Sequence, residues 1–333
     1  MRWPFWRRSA VTTVAPVATE PLAPPAPGLE ARPHDRYASW GFEEGAEIVP
    51  GRHVLQRLGG GSSYEVYLVW DERLYAITVA KLLRPDQVDD ADSLDDMKGE
   101  AEVLAQLAHP GLVRCFEAVL DGPRPHLLLE HLDGPTLQRL ISRNGPLPLV
   151  QLLPLALHLA SVLHFIASER FVHLDVKPGN VVVGVPPRLL DLSIARTVES
   201  AARLRHAIGT DAYMAPEQCD PAAHPGAVGP PADVWGLGAT LYHAVSGDVP
   251  FPRPREARRA EDRTARYPQL VGEARPLGAD IPPLLADIIF ATLAKDPAQR
   301  PTAREVADAL EPLVAEVPHR FTVTPRLKFV AHR

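Results

Sequence analysis

Cysteine is scarce in this chain: only Cys115 and Cys219 occur among 333 residues. Two cysteines cannot build a disulfide framework in a chain of this length, so the sequence favours a reducing compartment, and we expect a cytoplasmic protein. An excess of positive charge is also lacking, because 35 Lys and Arg stand against 41 Asp and Glu, for a formal net charge of -6. Nucleic-acid phosphates need a basic surface, so nucleic acid is not expected as the main partner.

The sequence also lacks an uninterrupted apolar run long enough to span a membrane. The longest apolar stretch, 147–167, contains Pro148 and Pro154 as well as polar side chains, and its leucines recur at helical spacing. We therefore predict a buried core helix in this stretch and no transmembrane segment. The 13 histidines show no metal-ligand spacing.

Proline is abundant, at 36 of 333 residues, and its distribution divides the chain. Residues 1–45 are rich in proline and alanine without a helical or strand period, which predicts a disordered tail. The first eight residues combine Trp3, Phe5 and Trp6 with arginines and could contact an anionic membrane surface, although a plain tail is the simpler interpretation. We expect a folded domain over 52–316 and a C-terminal tail over 317–333.

The periodicity of the folded part changes along the chain. Strand-like runs near 54–55, 66–69 and 75–80 precede a helical pattern over about 93–107. Beyond about Pro135 the sequence is mostly helical. This order predicts an α+β fold with a small β-rich N-lobe, about 52–132, and a larger helical C-lobe, about 133–316.

Two motifs in the predicted N-lobe are compatible with phosphate binding. Gly59, Gly60 and Gly61 lie between two predicted strands, where backbone N–H groups can cradle a polyphosphate, although a simple turn uses glycines as freely. Lys81 closes the next strand, where a solvated lysine is the ordinary interpretation. Each motif alone is weak.

A third group of residues follows the predicted core helix. Asp175, Lys177 and Asn180 lie within the run His173-Leu174-Asp175-Val176-Lys177-Pro178-Gly179-Asn180, and Asp191 comes shortly after it. One carboxylate can receive a hydroxyl proton while the amide and the second carboxylate hold Mg²⁺ against phosphates. Together with the glycine cluster and Lys81, this set suits phosphoryl transfer.

Taken in order, these motifs resemble the eukaryotic-like (Hanks-type) serine/threonine protein kinases of bacteria, over about Arg52 to Leu313. The resemblance implies a bilobal protein-kinase-like fold. It also implies an enzyme that uses ATP and Mg²⁺ to phosphorylate serine or threonine of protein substrates.

The resemblance assigns roles to individual residues. It makes Asp175 the catalytic base, Lys177 the contact to the γ-phosphate, and Asn180 and Asp191 the metal ligands. The nucleotide would contact the glycine-rich loop, the strand beside it and the hinge between the lobes. These residues are Leu58, Gly59, Gly60, Gly61, Ser62, Ser63, Tyr64, Glu65, Val66, Val79, Lys81, Glu130 and Leu132.

The resemblance also gives Lys81, the lysine on the α- and β-phosphates, a carboxylate partner on the helix. Glu100 and Glu102 both qualify by position. Glu100 is preferred because it lies between Met97 and Leu104, which the helical pattern turns inward.

Signatures near the end of the domain extend the resemblance. Gly209-Thr210 and the run 213–217 are similar to the end of a kinase activation segment. The family pattern then implies a buried ion pair between Glu217 and Arg300. Lys177 and Thr210 resemble the serine/threonine branch rather than the tyrosine branch.

Some positions depart from the family pattern around the nucleotide. Tyr64 replaces the third glycine of the loop, so we expect a stiffer and bulkier loop tip. Val79 stands where alanine is usual above the adenine and narrows that slot. Ser193 replaces the glycine after Asp191-Leu192, which makes a flip of Asp191 away from the metal less accessible.

Leu174 replaces the arginine that normally precedes the catalytic aspartate. In related kinases that arginine couples a phosphorylated activation loop to the active site. We therefore predict that activity depends little on phosphorylation of Thr197 or Ser200.

Two alternatives remain open from the sequence. A pseudokinase scaffold that binds nucleotide without turnover is favoured by the replaced residues at 64, 79, 174 and 193. A small-molecule phosphotransferase shares the histidine-to-asparagine loop and the later aspartate, although the 213–217 run is typical of kinases that dock protein substrates.

Overall fold

The structure is a computed structural model, and it describes residues 37–316. The predicted C-terminal tail, 317–333, and residues 1–36 of the predicted N-terminal tail lie outside the described residues. The proposed membrane contact of the first eight residues falls in this part.

The small lobe is built on a six-stranded antiparallel sheet with the strand order β1-β2-β3-β4-β6-β5. Its strands are β1 (Glu47–Val49), β2 (Arg52–Gly60), β3 (Tyr64–Asp71), β4 (Ala76–Leu83), β5 (Cys115–Val119) and β6 (His126–Glu130). The three strand-like runs of the sequence fall in β2, β3 and β4.

Helix α1 (Ala91–Gln106) lies between β4 and β5 in the chain and contacts β5 and β6. Its start is defined by Asp90, whose side chain accepts a hydrogen bond from the backbone N–H of Ser93. The helix therefore begins two residues before the predicted position and buries Met97, Glu100 and Leu104.

The pleat of β3 sends alternate side chains to opposite faces of the sheet. Val66 is paired with Lys81 and Leu68 with Val79 in the antiparallel register, so these side chains share the face toward the large lobe. We call it the cleft face. Glu65, Tyr67 and Val69 point to the outer face.

A segment upstream of the sheet covers this outer face; we call 38–42 the N-terminal segment. Trp40 stacks on Phe42 with ring centroids 6.0 Å apart, and Phe42 meets Tyr67 edge-on at 5.8 Å. The indole N–H of Trp40 donates to the backbone oxygen of Leu83 at 2.8 Å. Packed structure therefore begins before residue 45, the expected end of the N-terminal tail.

The remaining chain forms the mainly helical large lobe. Its helices are α2 (Leu137–Asn144), α3 (Leu149–Ser168), α4 (Val198–Ala201), α5 (Pro216–Cys219), α6 (Pro230–Ser246), α7 (Arg263–Arg266), α8 (Pro283–Thr292) and α9 (Ala303–Ala315). Short strand pairs complete it: β7 (Phe171–Val172) with β10 (Arg196–Thr197), and β8 (Val181–Val182) with β9 (Arg188–Leu189).

Helix α3 is the predicted core helix. By length and composition it is apolar enough to cross a membrane, but half of that apolar window is buried inside the fold. It packs against α6 and α9, with Leu152, Leu159 and Ile166 fully buried. The predicted α+β class, with a β-rich small lobe and a helical large lobe, is confirmed.

Candidate active site

The catalytic loop follows β7 and is held by the central helix of the large lobe. The carboxylate of Asp233, in α6, accepts hydrogen bonds of 2.7 Å from the backbone N–H groups of His173 and Leu174. Asp233 is only 4% exposed, and its hydrogen bonds satisfy backbone donors that would otherwise be buried without partners. The loop backbone is thereby fixed at His173 and Leu174, the second of which has φ = +66°.

This loop presents Asp175 at the floor of the cleft with its carboxylate held from several directions. Lys177 Nζ lies 2.6 Å and Asn180 Nδ2 3.1 Å from Oδ2, while the backbone N–H of Thr210 donates to Oδ1 at 3.1 Å. Lys177 Nζ also donates to Thr210 Oγ1 at 2.7 Å. These charge-assisted contacts fix the orientation of the carboxylate.

Across the cleft, Lys81 on β4 connects the two lobes. Its Nζ lies 2.6 Å from Oε2 of Glu100 in α1 and 3.5 Å from Oδ1 of Asp191 in the large lobe. Burial alone would lower the pKa of Lys81, but the charges of Glu100 and Asp191 outweigh burial and raise it. The lysine is therefore cationic. Glu102, the competing candidate, is exposed on another side of α1.

Asp191 and Asn180 form a donor set that fits Mg²⁺. Burial opposes ionisation of Asp191, yet Lys81 and a hydrogen bond from Ser193 lower its pKa, so the carboxylate is anionic. The Nδ2 atom of Asn180 donates to the backbone oxygen of Asp175 at 2.9 Å, which leaves the side-chain oxygen as a free acceptor. A carboxylate and an amide oxygen are ligands that Mg²⁺ accepts beside substrate phosphates.

Asp191 itself adopts φ = +62°, in the left-handed region of backbone conformation. Ser193 is not among the residues with positive φ, so the serine fits this backbone without strain. The expected effect of Ser193 on a flip of Asp191 stays a prediction.

The predicted nucleotide residues divide between the two faces of the sheet. Val66 and Val79 lie on the cleft face, and Leu58 is an exposed residue near the end of β2. Glu130 ends β6, and Leu132 follows at the junction of the lobes. Gly59 and Gly60 are the last residues of β2, and residues 61–63 form the hairpin tip between β2 and β3.

Glu65 is the exception, because its side chain is buried on the outer face. It accepts hydrogen bonds from Ser39 Oγ at 2.7 Å and from the Trp40 backbone N–H at 3.0 Å, and Arg57 lies 2.7 Å away. Its carboxylate therefore anchors the N-terminal segment and does not face the cleft.

Arg84 supports the glycine-rich loop and the N-terminal segment, although no sequence motif indicates it. Its Nε donates to the backbone oxygen of Gly61 at 2.9 Å and its Nη1 to that of Ala38 at 2.7 Å. The side chain is fully buried. An arginine directly after an apolar strand end is the only local signal, and a solvent-exposed arginine would give the same pattern.

The catalytic loop lacks an arginine at the position before Asp175, and the structure shows the surroundings of the leucine that stands there. Leu174 is 3% exposed within the hydrophobic core, and its backbone oxygen accepts from Gln218 Nε2 at 2.8 Å. Thr197 is exposed, and its hydroxyl caps α4 by accepting from the N–H of Ser200.

The predicted ion pair at the end of the activation segment is confirmed. Arg300 Nη1 and Nη2 donate to Glu217 Oε1 and Oε2 at 2.6 and 2.8 Å. Both side chains are fully buried. This bidentate pair ties α5 to the segment before α9.

Comparison with known proteins agrees with this geometry. A protein kinase domain family matches residues 52–310. The chain is 32% identical to the serine/threonine-protein kinase pkn2 of Myxococcus xanthus, over 79% of this chain and 32% of that protein. It is 34% identical to the serine/threonine-protein kinase PkaA of Streptomyces coelicolor, over 72% of this chain and 43% of that protein.

A further relative is the serine/threonine-protein kinase PknB of Mycobacterium leprae, 32% identical over 58% of this chain and 32% of that protein. The aligned part thus spans about a third of the length of pkn2 and PknB. The family match covers most of the described chain and includes the glycine-rich loop, Lys81, Glu100, Asp175 and Asp191. The chain therefore belongs to the protein kinase family, and within it is similar to the bacterial Hanks-type serine/threonine kinases.

Proposed function

We propose that this chain transfers the γ-phosphate of ATP to serine or threonine hydroxyls of protein substrates. The observation that carries the proposal is the position of Lys81 Nζ, 2.6 Å from Glu100 and 3.5 Å from Asp191. Phosphoryl transfer in protein kinases requires this lysine–glutamate pair and the metal-binding aspartate in place together.

In this proposal, Asp175 accepts the proton of the substrate hydroxyl as that oxygen attacks the γ-phosphorus, and the bond from that phosphorus to the β,γ-bridging oxygen breaks to release ADP. Lys177, 2.6 Å from the carboxylate, places a positive charge where the transferred phosphate gains negative charge. Mg²⁺, held by Asn180 and Asp191, would neutralise charge on the phosphate oxygens. Lys81 would contact the α- and β-phosphates.

The adenine would lie between the lobes, against Val79 and the backbone of Glu130 and Leu132. Val79 is paired with Leu68 and Leu129 and supplies an apolar surface for a base. A cytoplasmic location, where ATP and Mg²⁺ are abundant, stays a prediction.

Phosphate transfer can be measured directly. The purified chain is incubated with ATP and Mg²⁺, alone and with a generic protein substrate, and phosphosites are mapped by mass spectrometry. We expect phosphoserine or phosphothreonine with the parent, and none with EDTA or with the Asp191→Asn variant, which lacks a metal-binding carboxylate. Phosphate uptake that survives Asp191→Asn would contradict the assigned metal site.

A pseudokinase is the second candidate, and one observation favours it: the ring of Tyr64 lies over Lys81. A pseudokinase would bind ATP in a titration yet transfer no phosphate to any substrate. The incubation above and a binding titration with the same sample therefore separate the two candidates.

The buried Leu174 supports the prediction that phosphorylation of Thr197 or Ser200 has little effect on activity. Since Thr197 caps α4, the test uses Thr197→Asn, which retains a capping oxygen and cannot be phosphorylated, together with Ser200→Ala. We expect kcat/KM close to that of the parent, before and after phosphatase treatment. A loss of more than about tenfold, equivalent to 1.4 kcal/mol, would contradict the prediction.

A further inference from the structure

Tyr64 stands where related kinases have a glycine, and its side chain has a defined place in this structure. The residue opens β3 on the cleft face of the sheet, two residues before Val66, the register partner of Lys81. The centroid of its ring lies 4.1 Å from Lys81 Nζ. This distance is typical of a strong cation–π contact. The ring therefore covers the ammonium group to which the proposed function assigns the ATP phosphates.

The same ring reaches the backbone of the glycine-rich loop. A Cβ atom placed on Gly61 would lie 3.4 Å from Cζ and 3.6 Å from the hydroxyl oxygen of Tyr64. The ring thus spans the gap between the loop tip and Lys81. In a protein kinase, this gap is where the triphosphate passes under the loop.

The charged groups around the ring are those of the proposed phosphate and metal site. Burial raises the pKa of Tyr64; Lys81 opposes this rise, and the carboxylates of Asp191, Glu100 and Asp175 add to it. The phenol is therefore neutral and surrounded by the groups that bind phosphate and metal in the proposed function. The ring and a triphosphate cannot occupy this space together.

The loop backbone is fixed by hydrogen bonds, so the ring can leave the cleft only by a movement of the Tyr64 side chain. The N–H of Gly61 donates to the backbone oxygen of Tyr64 at 3.0 Å. Arg84 donates from Nε to the backbone oxygen of Gly61 and from its backbone N–H to that of Ser63, each at 2.9 Å. With the hairpin tip fixed in this way, rotation about χ1 of Tyr64 is the motion that clears Lys81.

We propose that Tyr64 is a gating residue for the phosphate groups of the nucleotide. Its ring occupies the phosphate position on Lys81, and a phosphorylated nucleotide binds only after the side chain has rotated out of the cleft. Adenosine carries no phosphate and does not meet the ring. Tyr64 therefore lowers the affinity for ATP relative to adenosine. This inference rests on the proposed function, because it takes the space over Lys81 as the phosphate site.

The test is calorimetric titration of the parent, Tyr64→Ala and Tyr64→Phe with ATP plus Mg²⁺ and with adenosine. Alanine removes the ring without requiring a new backbone conformation, since Tyr64 is not among the residues with positive φ. We expect Tyr64→Ala to lower the Kd for ATP about tenfold, a factor between those expected for an exposed and for a fully desolvated cation–π contact. The Kd for adenosine should not change. Tyr64→Phe keeps the ring and should bind ATP as the parent does.

The outcomes separate the gate from the proposed function. An unchanged or higher Kd for ATP in a folded Tyr64→Ala variant overturns the proposed gate. An equal decrease in the Kd for ATP and for adenosine overturns it as well. If the parent transfers phosphate but Tyr64→Ala binds ATP no more tightly, the gate alone fails. If neither protein binds ATP while both are folded, the gate and the proposed function fail together.

Discussion

Replacement of Asp175 by asparagine is expected to lower kcat by about 10²–10⁴-fold, the usual contribution of a general base. Asparagine has the same size and its side-chain oxygen can still accept the hydrogen bond from the N–H of Thr210, which is 3.1 Å long in the parent. An amide cannot take up the proton of the substrate hydroxyl. The loss should therefore appear in kcat while the KM for ATP stays near the parent value. Steady-state phosphorylation of a generic protein substrate measures both constants.

A matched control removes a carboxylate that lies far from the cleft. Asp308 in α9 has a side chain that is 68% exposed and lies 3.8 Å from Arg304, one helical turn away. Asp308→Asn should leave kcat unchanged. If Asp175→Asn kept kcat within about tenfold of the parent, the role of general base would have to pass to another group.

The second large effect concerns stability. Glu217→Gln and Arg300→Met are each expected to lower the free energy of unfolding by about 3–5 kcal/mol, because each leaves an uncompensated charge in a buried site. Arg300 also donates to the backbone oxygens of Ala294, Pro231 and Lys295, which hold the guanidinium group in its buried site. In Glu217→Gln its charge therefore stays buried without a carboxylate partner, and we expect a loss near the upper end of this range. Urea denaturation followed by circular dichroism gives the free energies and the m-values.

The double variant distinguishes a buried pair from two independent defects. Glu217→Gln combined with Arg300→Met removes both charges, so its loss should be clearly smaller than the sum of the single losses. The exposed pair of Arg304 and Asp308 provides the contrast, because Arg304→Met should change stability little. Additive losses in the buried pair would show that the two side chains act through other contacts.

The candidate catalytic residues could be predicted from the sequence because they are close together in the chain or their positions follow from helical periodicity. Asp175, Lys177 and Asn180 lie in one loop, and the choice of Glu100 over Glu102 followed from helical periodicity. The hinge was located by the same family pattern. Local pattern and family resemblance indicate the same residues where those residues belong to one loop or one helix.

The place of the N-terminal segment could not be predicted from local sequence pattern. Its residues have no period, and they are held by partners 25 to 46 positions away, including Glu65, Leu83 and Arg84. Glu65 was assigned to the nucleotide because it lies in the glycine-rich motif, but the pleat of β3 sends its side chain to the opposite face. The bulk of Tyr64 was expected at the loop tip, whereas its contact with Lys81 requires the register between β3 and β4.

The cover on the outer face has a practical consequence for how this domain is delimited. The family match starts at Arg52, which is also the first residue of β2. A chain cut at that residue would lose β1 and the rings of Trp40 and Phe42. The edge of β2 and the apolar surface around Tyr67 would then be open to other molecules, and such an edge promotes aggregation. Recombinant forms of this protein should therefore start before Ala38. If a shorter form is insoluble, the cause is the loss of the N-terminal segment and β1, and the result does not show that the kinase domain cannot fold.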